Sequence, residues 1–189
     1  MPIISPPSAT GRVTSFEGAP ALNLLASVGA GTLSFGGETV PASFGRAGAC
    51  AAADKREGDG RTPLGDWPLL TALLRPDRRL AVPRTALPWR WLRPWDGWSD
   101  AAGDPAYNRP VRHPHPCSAE RLWRDDGAYD IVVVLAHNTP PVPGLGSAIF
   151  LHCLQPDARP TEGCVAIARD TLAGWLPRFT PTTRLVIGA

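Results

Sequence analysis

A histidine and a cysteine lie twelve residues apart in a pattern that could support nucleophilic catalysis. His152 ends a short apolar run, and Cys164 follows the turn-forming residues Thr161 and Gly163. A free cysteine is only a few per cent thiolate at neutral pH, and a neighbouring imidazole can lower its pKa and prepare it to attack a carbonyl. Backbone amides around Gly163 and Cys164 are candidates for stabilising the resulting oxyanion.

Two strands must carry this pair if the side chains are to meet. Residues 148–153 and 165–167 are apolar runs typical of buried strands, and the loop between them contains Pro156 and Pro160. Such a loop can fold back and place the end of one strand beside the start of the next. The alternative is a core cysteine and an unrelated, hydrogen-bonded histidine, since free cysteines are among the most buried residues. The residue types alone leave both interpretations open.

The order His, then Ser/Thr-x-Gly-Cys-Val/Ile, resembles the signature of the L,D-transpeptidases, the YkuD-like enzymes of peptidoglycan. Further segments resemble one branch of that family in the same order, namely 54–69, Tyr107-Asn108, 122–135 and 146–152. The resemblance covers most of the chain from about residue 45 to the end. Two features depart from it: Ala166 stands where an arginine is usual, and the spacer between histidine and cysteine is short.

This resemblance implies a mainly β (α+β) fold, a YkuD-like β-sandwich with a few short helices and a Trp/Arg-rich insertion. It implies Cys164 as nucleophile, His152 as base and Gly163 beside the oxyanion, with no cofactor and no metal. Thr161 either orients the loop or the imidazole, or only forms the turn. The implied substrate contacts are Tyr107, Asn108, Trp123 and Asn138. Structural polar packing is an equally open interpretation of those four.

The implied reaction is cross-linking of peptidoglycan stem peptides through a thioester acyl-enzyme. The usual donor bond follows the L-centre of the diamino acid at position three, which gives a 3-3 cross-link. In a variant of the wider group, the position-one alanine is the donor and the product is a 1-3 cross-link. Hydrolysis of the same thioester would make the protein an L,D-carboxypeptidase, and a non-catalytic peptidoglycan-binding module is the alternative of another class.

Composition predicts one domain over residues 1–189, with residues 1–11 as a loose lead-in. The 22 prolines are about double the average usage and favour short strands and turns over long helices. The formal charge of +2 indicates no polyanionic partner such as nucleic acid, and we expect a monomer. No apolar run reaches transmembrane length and no signal peptide is visible, although the resemblance implies a periplasmic or cell-wall-facing protein. Outside the catalytic pair, we expect the remaining cysteines to be unpaired: Cys50, Cys117 and Cys153.

Hydrophobic patterning predicts strands at 22–27, 32–35, 39–44, 129–136 and 183–188. It also predicts a short helix at 119–124 capped by Ser118, and an amphipathic helix capped by Asp170 with Leu172 and Trp175 on its apolar face. The loop at 54–65 lacks a phosphate-binding motif. The resemblance makes it a structural loop near the cleft, with a polar network of Lys55, Glu57 and Asp59.

Two further segments allow more than one interpretation. Residues 75–98 alternate arginines with tryptophans, which indicates packing of an irregular segment on the core, a substrate wall, or single-stranded nucleic-acid binding. His113, His115 and Cys117 would share one face of an extended chain and are zinc-ligand types. A fourth ligand is lacking and the intervening prolines fit a polyproline segment, so we predict no metal site.

Overall fold

The computed structural model describes residues 22–78, 80 and 82–189, and the predicted lead-in at 1–11 lies outside them. In this part of the chain the protein is mostly β, with one short α-helix. The strands are β1 (Leu24–Ser27), β2 (Thr32–Phe35), β3 (Glu38–Ser43), β4 (Ala49–Cys50), β5 (Thr62–Pro63), β6 (Gly65–Leu74), β7 (Trp89–Trp91), β8 (Asp96–Ser99), β9 (Pro110–Arg112), β10 (Ala119–Arg121), β11 (Ile131–Leu135), β12 (Phe150–Cys153), β13 (Val165–Ile167) and β14 (Arg184–Gly188). The helix α1 is Arg169–Trp175, and single 3-10 turns lie at Ala52–Asp54, Pro76–Arg78 and Leu176–Arg178. Each helix in the described ranges is too short or too polar to span a bilayer.

Nine strands form the main sheet in the order β11-β12-β13-β3-β2-β1-β14-β6-β7. The long strand β6 pairs with β14 through its first residues and with β11 through its later ones, so the sheet closes on itself. A separate three-stranded sheet has the order β10-β8-β9. Because β11 and β6 pair with each other in this closed, barrel-like arrangement, neither strand presents a long unpaired edge on that side.

Two apolar clusters lie on opposite faces of β11, β12 and β13. The first contains Val133, Leu151 and Val165 and packs against Leu172 and Trp175 of α1. The second cluster joins the other face of the same strands to the small sheet; it contains Val132, Val134, Phe150, Cys164, Tyr129, Trp98 and Leu122. Burial of each large apolar side chain contributes about 1.5–3 kcal/mol, so both faces of the central strands are strongly held.

Most predicted strands are confirmed to within about two residues. The predicted helix at 119–124 is wrong, because residues Ala119–Arg121 form β10, in which Glu120 pairs with Trp98. Cross-strand pairing in the small sheet overrides the local capping signal at Ser118. Asp170 does not cap α1: the cap position is Ala168, and Asp170 lies in the first turn, where negative charge is favourable.

The Trp/Arg segment agrees best with the packing interpretation. Trp89 and Trp91 contact each other edge to face in β7 and pack against the first cluster, and Trp98 belongs to the second. Arg75 is 1% exposed and lies 3.9 Å from the centre of the Trp123 ring. Arg79 is outside the described residues.

Candidate active site

The structure brings His152 and Cys164 to the same face of neighbouring strands. Strands β12 and β13 are parallel, with His152 opposite Ala166 and Leu151 opposite Val165. Because successive side chains alternate between faces, Cys164 points to the side of β13 that His152 occupies on β12. Both residues line one cavity of about 620 Å³. Cys153 lies on the opposite face, within the first cluster, as its strand phase predicted.

The thiol of Cys164 is buried and protonated. Its Sγ lies 3.1 Å from the Ala148 carbonyl, to which it donates, and accepts the Phe150 N–H at 3.4 Å. Burial raises the pKa of Cys164 to about 12, because the charged thiolate loses contact with water. The sequence led us to expect a lowered pKa, and this resting environment has the opposite effect.

The imidazole of His152 is neutral and oriented. Its Nδ1 lies 2.9 Å from the Cys153 carbonyl, so that nitrogen carries the proton and leaves Nε2 as the basic atom. The Tyr129 ring packs edge to face against it, with centroids 5.2 Å apart. Burial lowers the pKa of His152 to about 4, which keeps the ring in its proton-accepting form.

A neutral thiol and a neutral base that line one cavity predict that proton transfer accompanies attack rather than preceding it. Alkylation of Cys164 by iodoacetamide, which needs the thiolate, should therefore accelerate roughly tenfold per pH unit between about pH 6 and 9, without a plateau. The measurement is the alkylation rate at Cys164 by peptide mass spectrometry. A rate that levels off below about pH 7 would reveal a preformed thiolate–imidazolium pair and contradict this electrostatic assignment.

Thr161 and Gly163 shape the turn that delivers Cys164. The Thr161 hydroxyl donates to the Cys164 carbonyl at 2.7 Å and accepts the Gly163 N–H at 3.2 Å. The Thr161 backbone also bonds to Phe44 and Arg46 on the neighbouring segment. Since the Gly163 N–H is engaged within the turn, the Cys164 N–H is the better candidate for an oxyanion donor.

Gly163 occupies a conformation that a side chain would disrupt. Its φ is +136°, and a Cβ there would lie 2.7 Å from the Arg61 carbonyl oxygen. Gly163→Ala is expected to destabilise the protein by about 1–3 kcal/mol from backbone strain alone, and to displace Cys164 from the cavity. Thermal melting and the rate of Cys164 acylation measure the two effects.

The matched control is Gly174→Ala within α1, where a Cβ meets nothing within 4 Å. That change should leave acylation unaltered and stabilise the helix by about 0.5–1 kcal/mol. Full activity in Gly163→Ala would show that this turn does not position the nucleophile.

Two predicted substrate contacts lie behind the cavity wall. The Asn108 carboxamide accepts the Ala148 N–H at 3.1 Å, and Ala148 in turn accepts the Cys164 thiol. The Tyr107 hydroxyl, in a residue only 3% exposed, donates to the Glu57 carboxylate at 2.5 Å. Both Ala148 and Glu57 line the cavity. In this structure Asn108 and Tyr107 therefore stabilise residues of the cavity wall by hydrogen bonding, and direct substrate contact by either remains a prediction.

The other two predicted contacts have structural partners away from the cavity lining. The Asn138 side chain closes its own turn, donating to the carbonyls of Val142 and Gly146 and accepting the Val142 N–H at 2.8 Å. The Trp123 ring lies beneath the guanidinium of Arg75. These contacts agree with the alternative of structural packing.

Sequence reasoning missed the polar side chains that line the same cavity as Cys164 and His152. The Tyr129 hydroxyl donates to the Glu120 carboxylate at 2.6 Å, and the Arg124 guanidinium lies 5.1 Å from the Tyr129 ring centre. All three line the cavity. Burial raises the pKa of Glu120, opposed by the Tyr129 hydrogen bond and Arg124. The only sequence signal was that two of them lie in the segment 122–135, which resembles the family.

The predicted polar loop lies beside the cavity, but only two of its three predicted network members pair with each other, because Glu57 bonds to Tyr107 instead. The Lys55 ammonium, 2% exposed, pairs with the Asp59 carboxylate, and Asp59 also accepts the Arg61 N–H at 2.8 Å. Arg61 supplies the carbonyl that packs on Gly163. The buried ion pair thus supports the turn before Cys164 from behind. All four cysteines are free thiols: Cys50, Cys117, Cys153 and Cys164.

The three residues weighed as metal ligands do not stay together. His115 and Cys117 converge with Asp104, all three ligand atoms lying within 4.8 Å of one another. His113 instead places its Nε2 3.5 Å from the Glu120 carbonyl. Of the three residues considered as zinc ligands from the sequence, His115 and Cys117 belong to this cluster and His113 does not.

Comparison with known proteins gives structural neighbours only. A scan against protein-family models finds no match, and neither does a search of curated proteins. Six solved structures that the chain resembles are L,D-transpeptidases. L,D-transpeptidase 3 from Mycobacterium tuberculosis is 15% identical, with a TM-score of 0.46 and coverage of 89% of this chain and 61% of that one. An L,D-transpeptidase from Mycobacterium smegmatis is 16% identical, with a TM-score of 0.41 and coverage of 89% and 59%.

A further neighbour, L,D-transpeptidase 1 from Mycobacterium tuberculosis, is 16% identical with a TM-score of 0.40, covering 88% of this chain and 61% of that one. The chain thus spans about three fifths of the length of these structures. At such identities and TM-scores the likeness does not define a reaction. The chemistry has to be inferred from the residues of the site.

Proposed function

We propose that this protein is a cysteine-dependent L,D-transpeptidase that cross-links peptidoglycan stem peptides through a thioester on Cys164. The observation that carries the proposal is the placement of Cys164 and His152 on one face of paired strands, lining one cavity. The sequence around them, with Thr161 and Gly163 in the turn, has the residue types that the family signature requires.

Acylation begins when the stem-peptide carbonyl enters the cavity and excludes water from the thiol. The Cys164 proton passes to His152 Nε2 as sulfur forms a bond to the carbonyl carbon. The Cys164 N–H stabilises the oxyanion. Collapse of this intermediate breaks the carbon–nitrogen bond, and the leaving amine takes the proton from His152, which leaves the thioester.

Resolution reverses these steps with a second nucleophile. An amine of another stem attacks the thioester and gives its proton to His152, which returns it to the departing sulfur. The product is a cross-link, and the enzyme is regenerated. Water in place of the amine would yield a trimmed stem, which is the carboxypeptidase alternative.

Arg124 and Arg159 are proposed to supply the positive charge that the family signature places after the cysteine. Ala166 occupies that position here and is 1% exposed, opposite His152. Both arginines line the same cavity from other segments. The Arg124 guanidinium already binds the carboxylates of Asp126 and Glu120. Because a guanidinium binds carboxylates in a bidentate manner, Arg159, whose side chain is 57% exposed, is the better placed of the two to hold a carboxylate of the stem peptide.

The test combines acylation in vitro with the products made in cells. Carbapenems acylate the activated cysteine of the family that the sequence resembles, so the purified chain should gain the mass of one carbapenem at Cys164. Muropeptides from cells expressing the chain should contain new 3-3 or 1-3 dimers, which identifies the donor. Shortened stems without dimers would favour the carboxypeptidase. Binding to sacculi with no adduct and no change in muropeptides would contradict the enzyme and favour the binding module.

A further inference from the structure

A second chemically distinctive cluster lies in the small sheet, outside the catalytic pair. Asp104 belongs to the connection between β8 and β9, and His115 and Cys117 to the connection between β9 and β10. A carboxylate oxygen, an imidazole nitrogen and a cysteine sulfur meet there, each within 4.8 Å of the others. These are three different donor types, contributed by two segments that the fold brings together.

The carboxylate of this cluster is held in place. Asp104 is 8% exposed; its Oδ2 accepts the Ser99 hydroxyl at 2.6 Å, and its Oδ1 accepts the Ala106 N–H at 2.9 Å. His115 Nε2 lies 2.6 Å from the same Oδ2. Ligands fixed by such outer contacts are typical of protein metal sites.

In this structure His115 Nε2 and Asp104 Oδ2 share a hydrogen bond of 2.6 Å, which a bound ion would replace. Zinc bonds of about 2.3 Å to sulfur and about 2.0–2.2 Å to nitrogen and oxygen separate neighbouring ligand atoms by about 3.4–3.6 Å. Metal binding would therefore require the side chains of exposed Cys117 and partly buried His115 to rotate to that spacing around the fixed Asp104 carboxylate. Mg²⁺ and Ca²⁺ prefer all-oxygen shells, so a sulfur and a nitrogen donor select against them.

We propose that Asp104, His115 and Cys117 bind a zinc-class divalent cation, with a fourth position open to water. The ion would join the β8–β9 connection to the β9–β10 connection. Two residues that line the larger cavity adjoin these connections: Asp100 lies in the first of them, and Glu120 lies in β10, directly after the second. The Asp100 N–H also reaches the Ser118 carbonyl at 3.4 Å. Metal binding would thereby stiffen one wall of the cavity, but the site itself does not depend on the proposed reaction.

The test uses the full chain without a polyhistidine tag, reduced and stripped of metal, and dialysed against ZnCl₂. Wild type should retain one zinc per chain and melt at a higher temperature with zinc than without. Cys117→Ser and His115→Ala should each weaken zinc binding by at least about 100-fold, because loss of a direct ligand exceeds the loss of an outer contact. Without metal, Cys117→Ser should melt at the same temperature as wild type, because Cys117 is exposed.

Two control variants separate this site from adventitious binding. His113→Gln removes a histidine of the same segment whose Nε2 faces the Glu120 carbonyl, and Cys164→Ala removes the catalytic thiol. Both should keep full zinc occupancy. Cobalt substitution should show a sulfur-to-metal absorption band that Cys117→Ser abolishes. Absence of stoichiometric zinc in wild type, or unchanged zinc in Cys117→Ser, would overturn the proposal and leave the catalytic assignment untouched.

Discussion

Cys164→Ala is expected to abolish acyl-enzyme formation completely, with no carbapenem adduct by intact mass and no new cross-links in muropeptides. The sulfur is the only atom at this position that can form the thioester, so the loss is absolute rather than partial. The fold should survive, since Cys164 contributes a small side chain to the second apolar cluster. Melting temperature and mass after carbapenem exposure provide the two measurements.

Cys153→Ala is the matched control for this substitution. Cys153 is also buried, and burial raises its pKa to about 12 as well. It lies in the first cluster on the other face of β12, away from the cavity lining. Its removal should leave the adduct intact. An adduct that persists in Cys164→Ala, or that disappears in Cys153→Ala, would place the nucleophile elsewhere.

His152→Asn is expected to slow acylation by about 10²–10⁴-fold at neutral pH, the usual contribution of a general base. Asparagine can keep the hydrogen bond that His152 Nδ1 makes to the Cys153 carbonyl, while the proton-accepting Nε2 is lost. The measurement is the rate of carbapenem acylation as a function of pH. A merely structural role for His152 would reduce the rate equally at all pH values.

The pH profile supplies the mechanistic readout. Since the pKa of His152 is about 4, the base is already neutral above about pH 5, and the wild-type rate should be nearly flat from there to neutrality. In His152→Asn the thiol must ionise unaided, with a pKa of about 12, so the rate should climb roughly tenfold per pH unit and the defect should shrink in alkali.

His137→Asn controls for loss of a buried histidine. Burial lowers the pKa of His137 to about 4, and its ring packs edge to face on Trp67, with centroids 5.0 Å apart. It does not belong to the cavity lining. The variant should melt at a lower temperature yet acylate at the wild-type rate after correction for folded protein. A kinetic defect equal to that of His152→Asn would assign the effect to stability.

The elements that carry Cys164 and His152 could be predicted from sequence because their signals are local. Continuous apolar runs identified β11 and β12, and the turn residues Thr161 and Gly163 marked the start of β13. Local signals failed where pairing partners are distant in the chain. The cap residue Ser118 indicated a helix, but hydrogen bonding to β8 makes that segment a strand.

From its order of residues alone, the chain indicates candidate residues for the chemistry and the strands that carry them, since side-chain reactivity and apolar periodicity are local properties. The surroundings of these residues depend on the tertiary structure. Glu120, Tyr129 and Arg124 reach the cavity, and Asp104 reaches His115 and Cys117, through strand pairings that link separate segments. The protonation of Cys164 and His152 is likewise set by burial, which depends on the layers packed over β12 and β13 rather than on neighbouring residues in sequence.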